Sequence, residues 1–259
     1  MIPVLTALSD LAGPWLWSGF VVFLRVGAVA ALAPAFGEQS VPARVRLAMA
    51  LAFALAVLPA VAPLVPPATG PVATLRICGA EVIAGLTYGI VLRLMVMALQ
   101  TAGSIAAQSI SLAQIAGGGV AAEPAPAVGH LLVLGGLALA ATGGLHVRLA
   151  LFLIESYDLI PAGTLPDAGT LAEAGIGAIA RSFALAFSLA LPFVIAALLY
   201  NLLLGAINRA MPQLMVTFIG APALTGGALA LLLLAAPLLL RLWTGALDGV
   251  LADPFGGPG

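Results

Sequence analysis

Six apolar stretches, at residues 15–34, 46–65, 75–98, 128–154, 180–206 and 214–243, fill most of this chain. Each is close to or longer than the roughly 20 residues an α-helix needs to cross hydrocarbon. Only 7% of the residues are charged, against about 25% in soluble domains. The fold class is therefore an all-α, multi-pass membrane protein of long, broken helices and helical hairpins. No stretch reads as a soluble domain. A net charge of -1 with no basic cluster gives no steering toward nucleic acid. Cys78 is the one cysteine, which rules out an internal disulfide and any zinc cluster. No basic residue precedes Arg25, so the N-terminus does not read as a cleaved signal peptide.

The third stretch is expected to continue as one helix from Leu75 to Ile115, far beyond what a bilayer requires. In its second half Gln100, Ser104, Ala107, Ser111 and Gln114 recur at helical spacing as one polar and small stripe. Ala102, Ile105, Ala106, Ile110, Leu112 and Ala113 lie opposite. Interfacial helices carry Lys or Arg on their polar face, and this stripe has neither, so it reads as lining a wet cavity or meeting another subunit. The following segment, AGGGVAAEPAPAV (116–128), cannot continue a helix because of Gly117, Gly118, Gly119 and two prolines. It lacks the polar residues of a solvated linker. Either it is a surface connection, or its small apolar residues fill a narrow passage and later move aside.

A second polar anomaly is Tyr200–Pro222, YNLLLGAINRAMPQLMVTFIGAP, between the fifth and sixth apolar stretches. In a helix Asn201, Gly205 and Asn208 share one face, with Arg209 beside them, and Pro212 ends the helix ahead of Gln213. Such a face should meet protein or water and not lipid. Arg25, Glu81, Arg93 and Arg148 lie in apolar stretches with no opposite charge at i±3 or i±4. Their partners must then be other segments, other subunits or water. Glu81 with one arginine is the economical pairing, and partner subunits are the expectation for the surplus of arginine.

The motifs of membrane enzymes are missing: no GxSxG, no HExxH, and Tyr157-Asp158 stands without the GxGD that an aspartyl protease would add. Glu155 and Asp158 share a helix face, but at a helix end beside a polar loop, read as spanning 159–179, where a solvated terminus is the simpler account. His130 and His146 lack an acidic neighbour and make poor metal ligands. The expectation is no catalysis, no metal and no cofactor. A multi-pass transporter with a midplane site near Asn201–Gln213 is the alternative. It predicts two related halves with matching breaks, and the breaks at 116–126 and 212–222 do not match.

Four stretches together resemble the FliR family, the R subunit of the type III secretion export gate. They are LAPAFGEQSVPARVRLAMAL (32–51), RLMVMALQTAGSIAAQ (93–108), GLHVRLALFLIESYDLIPAG (144–163) and the Asn208-Arg209, Pro212-Gln213, Gly220 and Pro222 pattern. The resemblance runs in order over about 20–245. Two positions depart from it: Glu123-Pro124 stands where the family often has Asp-Pro, and Met215 where Asn is frequent.

The resemblance implies a single export-gate membrane domain over 1–259. Residues 15–175 would be similar to a P subunit, 176–247 to the hairpin of a Q subunit, and 248–259 a polar tail. It implies a place in the bacterial inner membrane within the flagellar basal body. The partners implied are the P and Q subunits, an FlhB-like switch protein, membrane lipid and transient unfolded export substrates. It further implies a plug within Ile110–Glu123, carried by Ile110, Ser111, Gln114, Ile115, Gly117, Gly118, Gly119 and Glu123. Channel or subunit contacts would be made by Arg93, Gln100, Ser104, Asn201, Asn208, Arg209, Pro212 and Gln213.

Overall fold

The computed structural model describes residues 2–38, 40–116, 127–210 and 216–256, with side chains among them except at 2–12, 110–116, 127 and 216–225. These residues form seven α-helices and no strand: α1 (Ile2–Leu32), α2 (Ala43–Val61), α3 (Pro71–Ala116), α4 (Ala127–Thr142), α5 (Leu145–Leu159), α6 (Ala168–Ala210) and α7 (Val216–Ala252). Five helices among the described residues are long and apolar enough to cross a membrane, or six if α4 and α5 form one broken span.

The third apolar stretch is one helix, as its pattern predicts. With 46 residues at about 1.5 Å each, α3 is about 69 Å long, over twice a hydrocarbon core of about 30 Å.

Besides the earlier start of α1, at Ile2 and not near residue 15, the structure departs from the sequence reading at three places. The fourth apolar stretch is not one helix: it breaks at Gly143-Gly144, and Gly144 takes a left-handed φ of 80°. Glycine alone enters that region freely, so hydropathy runs on while the backbone turns. Residues 168–179 are helix and not loop. There Asp167 caps α6, its carboxylate accepting from the Thr170 backbone N–H at 2.9 Å, and alanines then carry the first turns. Finally, α7 continues past 243 to Ala252.

The chain divides into two compact units. One holds residues 1–94, 141–178 and 247–259, the other 95–140 and 179–246. In the first, α1 presents Val22, Val26 and Val29 to a core shared with Ala54, Val57 and Val61 of α2, Ala84 and Leu92 of α3, and Leu149, Phe152 and Leu153 of α5. Gly85 lets α3 come close to α1, because a Cβ there would lie 2.5 Å from the Arg25 carbonyl oxygen. Small residues are what permit such close helix packing in a membrane. The Trp17 indole N–H donates to the Pro66 carbonyl at 2.9 Å, fastening α1 to the proline-rich loop after α2.

In the second unit Leu99, Ala102 and Ala106 of α3 are buried with Leu132 and Ala140 of α4, Ala186, Leu189, Phe193 and Ala197 of α6, and Leu239 and Trp243 of α7. Gly103 of α3 and Gly129 of α4 meet backbone to backbone: a Cβ on Gly103 would sit 2.1 Å from Gly129 Cα. The Trp243 indole donates to the Met95 carbonyl at 2.7 Å.

Candidate gate and subunit-contact surfaces

The most enclosed polar group lies in the first unit. Arg25 and Glu81 are both fully buried, and Arg25 Nε and Nη2 donate to the two Glu81 carboxylate oxygens at 2.8 and 3.0 Å. Two charges without water need every remaining donor and acceptor satisfied. Here the remaining guanidinium nitrogen, Nη1, donates to the Ser156 and Ile160 carbonyls at 3.1 and 2.9 Å. Both carbonyls lie at the end of α5, that of Ser156 also accepting the Ile160 N–H at 3.1 Å, and a cation there complements the helix dipole. Glu81 Oε1 accepts the Gly163 backbone N–H at 2.8 Å, and the Tyr88 hydroxyl donates to the Ser156 carbonyl at 3.2 Å. The Tyr157 ring covers the guanidinium, 3.8 Å from its centroid. One ion pair thus joins α1 to α3 and fixes the connection from α5 into α6.

The other two intramembrane arginines also pair inside the chain. Arg93 Nη1 donates to Glu38 Oε1 at 2.8 Å, and Arg148 pairs with Asp248 while its Nη2 donates to the Gly143 carbonyl at 2.8 Å. Segments of this chain therefore meet the arginines assigned to partner subunits. Glu38 and Asp248 were not singled out from sequence: they lie 55 and 100 residues from their partners, and helical spacing reports only neighbours within a turn. Glu155 and Asp158 are exposed, consistent with a solvated helix end. The described residues hold no group of three His, Cys, Asp or Glu placed to bind a metal.

In the second unit Gln100 and Ser104 are exposed, Ala107 is half-buried, and Gln108 joins them on the outward face. The Ser104 hydroxyl donates back to the Gln100 carbonyl at 3.0 Å, which leaves the Gln100 amide as the group free to meet something else. Opposite them Ala102 and Ala106 are buried, so the polar and apolar sides fall where the periodicity puts them. Ile110, Ser111, Gln114 and Ile115 continue along α3, with side chains outside the described set. Gly117, Gly118, Gly119 and Glu123 lie outside the described residues, as do Pro212 and Gln213.

Asn201 is half-buried near the end of α6, and its Oδ1 is shielded from solvent with no hydrogen-bond partner among the described residues, as is the neighbouring Tyr200 hydroxyl. Asn208 and Arg209 are exposed. Phe183, Phe187, Leu191, Ile195, Leu198 and Leu202 form an exposed apolar face on the same helix. A long helix with an apolar outer face and a polar end has the chemistry to contact lipid or another hydrophobic helix.

Residues 16–250 match the family described as bacterial export proteins, family 1. The chain belongs to that family. The flagellar biosynthetic protein FliR of Caulobacter vibrioides is 34% identical over 230 residues, covering 86% of this chain and 90% of that protein. The protein of the same name from Escherichia coli K12 is 29% identical over 230 residues, covering 87% and 86%. The FliR resemblance read from four sequence stretches is thereby borne out, and the bacterial export family accounts for the whole apolar region. Its motif residues have visible structural duties here. Arg93 holds Glu38 of the loop between α1 and α2, Phe36 stacks edge-on against Phe53 at 5.2 Å, and Ser156 lies in the ring of contacts around Arg25.

Proposed function

We propose that this chain is an R-type subunit of the flagellar protein-export gate in the bacterial inner membrane. There it helps to form and close the channel for unfolded export substrates. The observation that carries this reading is the near full-length similarity to two proteins named for flagellar biosynthesis. P and Q subunits and an FlhB-like switch protein are its partners, with 15–175 acting as the P-like part, 176–247 as the Q-like hairpin and 248–259 as a tail. Supporting this, the α6 face from Phe183 to Leu202 is exposed and apolar, and Tyr200 and Asn201 carry polar atoms without partners among the described residues. In the assembly Arg93, Gln100, Ser104, Asn201, Asn208, Arg209, Pro212 and Gln213 face the channel or neighbouring subunits, Arg93 from its pairing with Glu38.

The closing element in this reading is Ile110–Glu123, the last turns of α3 with the segment that follows them, which enters the channel as a plug. Three glycines and apolar neighbours seal through weak packing, which yields when substrate arrives more readily than ion pairs do. Deleting Gly117–Gly119 tests it: the assembled complex in a planar bilayer should leak small ions. Unchanged conductance rejects the plug. Purification in mild detergent tests the wider reading. Recovery with P and Q subunits is expected, and a monomer that binds a small molecule overturns it.

A further inference from the structure

A groove of about 410 Å³ runs between α1 and α2 in the first unit, with Val82 of α3 also lining it. Its walls extend from Phe23 to Ala31 on α1 and from Ala43 to Ala50 on α2, about two helical turns on each side. They are mostly small: Gly27, Ala28 and Ala31 on one side, Ala43 and Ala50 on the other. Arg46 is the one charged side chain that lines it. Among the described residues the Arg46 Nε is shielded from solvent and has no acceptor. Glu38, the carboxylate nearest in sequence, is held by Arg93.

Three features define what fits there. The first is charge: Arg Nε with one terminal nitrogen presents the two parallel donors that a carboxylate accepts. Nothing inside the chain accounts for a cation at this place, because Arg44 and Arg46 both lie in the first turn of α2, where the helix dipole disfavours positive charge. The second is Gly27. A Cβ at Gly85 would collide with the Arg25 carbonyl oxygen at 2.5 Å, whereas one at Gly27 would meet only the Phe23 ring, at 3.7 Å. Glycine inside a helix costs about 1 kcal/mol relative to alanine, and packing within the chain does not require it here. Small residues four apart, as at Gly27 and Ala31, admit a second helix backbone at short distance. An acyl chain or a free phosphate has no use for that spacing. The third is the rim, where Leu47, Leu51 and Leu55 of α2 are exposed by 54%, 46% and 68%, an apolar stripe at helical period.

We propose, on the reading of this chain as a gate subunit, that the groove seats an apolar helix of a neighbouring subunit through one carboxylate on Arg46. The partner helix sets small residues against Gly27 and Ala31. Its Asp or Glu accepts from Arg46 Nε and one terminal nitrogen, and its apolar face covers Leu47 and Leu51.

The test uses the full chain co-expressed with P and Q subunits and purified as the complex, with the photo-cross-linker p-benzoylphenylalanine in place of Leu47. Irradiation should join the chain to one subunit, at a helix position with an Asp or Glu within one turn. Arg46→Leu should lower the yield of that cross-link about tenfold, the scale of one charge-assisted contact. Gly27→Leu should lower it as well, by filling the groove. Arg46 has no partner inside the chain to lose, so the isolated Arg46→Leu chain should melt with the parent. Arg46→Glu should lower the yield further, and changing the partner's carboxylate to arginine should restore it, which a mere loss of folding does not allow. Cross-linking to lipid alone, cross-linking to a helix without a nearby carboxylate, a yield undiminished by Arg46→Leu, or no rescue by the charge exchange overturns the proposal. Where the complex still assembles in those cases, the gate reading stands. A parent chain that purifies without P and Q subunits overturns both.

Discussion

Arg25 of α1 and Glu81 of α3 form a two-point ion pair at 2.8 and 3.0 Å, and neither side chain is exposed to solvent. Removing one partner from such a pair leaves an uncompensated charge in low dielectric, at a cost of about 3–5 kcal/mol. Arg25→Leu and Glu81→Leu should each lower the thermal midpoint of the detergent-solubilised protein strongly. The double variant should recover only part of the loss, because the Ile160 carbonyl and the Gly163 N–H lose their partners too. Arg25→Lys should also fail to restore it, since an ammonium cannot reach two carboxylate oxygens and two carbonyls in one fork. Single variants as stable as the parent would dispose of the pair's structural role.

The pair between Arg93 and Glu38 makes a different prediction. Both side chains are partly exposed, at 26% and 17%, so the contact stabilises by only about 1 kcal/mol or less. If Arg93 serves only to hold the loop at Glu38, then Arg93→Leu and Glu38→Gln should impair assembly of the complex equally. A larger defect in Arg93→Leu would measure a further contact made to a neighbouring subunit. Quantitative co-purification of the complex reads out both variants.

What could be read from the sequence follows from the range of each signal. Apolar length and helical period are local, and they placed α3 to within a residue of its end and put Gln100 and Ser104 on its outward face. The same reasoning marked Arg25, Arg93 and Arg148 as needing partners. It could not supply Glu38 or Asp248, because long-range pairing leaves no trace in spacing along one helix. The turn at Gly143-Gly144 was hidden for another reason: hydropathy records side chains, and that turn depends on a backbone angle, the left-handed φ of Gly144. The start of α6 was hidden by Asp167 and Glu173, which suggested a solvated loop although Asp167 is the helix cap.

The contact between Gly103 and Gly129 predicts an asymmetric pair of variants. A Cβ on Gly103 would lie 2.1 Å from Gly129 Cα and 2.4 Å from its nitrogen, both backbone atoms that cannot swing aside. A Cβ on Gly129 would meet the Gln100 carbonyl oxygen at 3.4 Å, an ordinary contact. Gly103→Ala should therefore force α3 and α4 apart, destabilising by about 1–3 kcal/mol as overpacked cores do. Gly129→Ala should be close to neutral in thermal unfolding. Equal melting of the two variants would mean that these helices do not touch where the backbones meet.

Asp167 gives the chain an acid-sensitive helix start. The Thr170 backbone N–H, followed by its hydroxyl, holds the Asp167 carboxyl below the usual carboxylate range. A depressed folded-state value means that the carboxylate stabilises α6 at any pH above the ordinary value of about 3.9. That contribution is lost as pH falls from there through the lower folded value. Hydrogen exchange at the first turn of α6 should accordingly be slow from neutral pH down to mild acid. Once the intrinsic exchange rate is allowed for, protection should fall in stronger acid, with the Thr170 amide released first. Asp167→Asn, which keeps an acceptor without the charge, should retain most of the neutral-pH protection and lose the acid step. An acid step that persists in Asp167→Asn would assign the transition to another carboxylate.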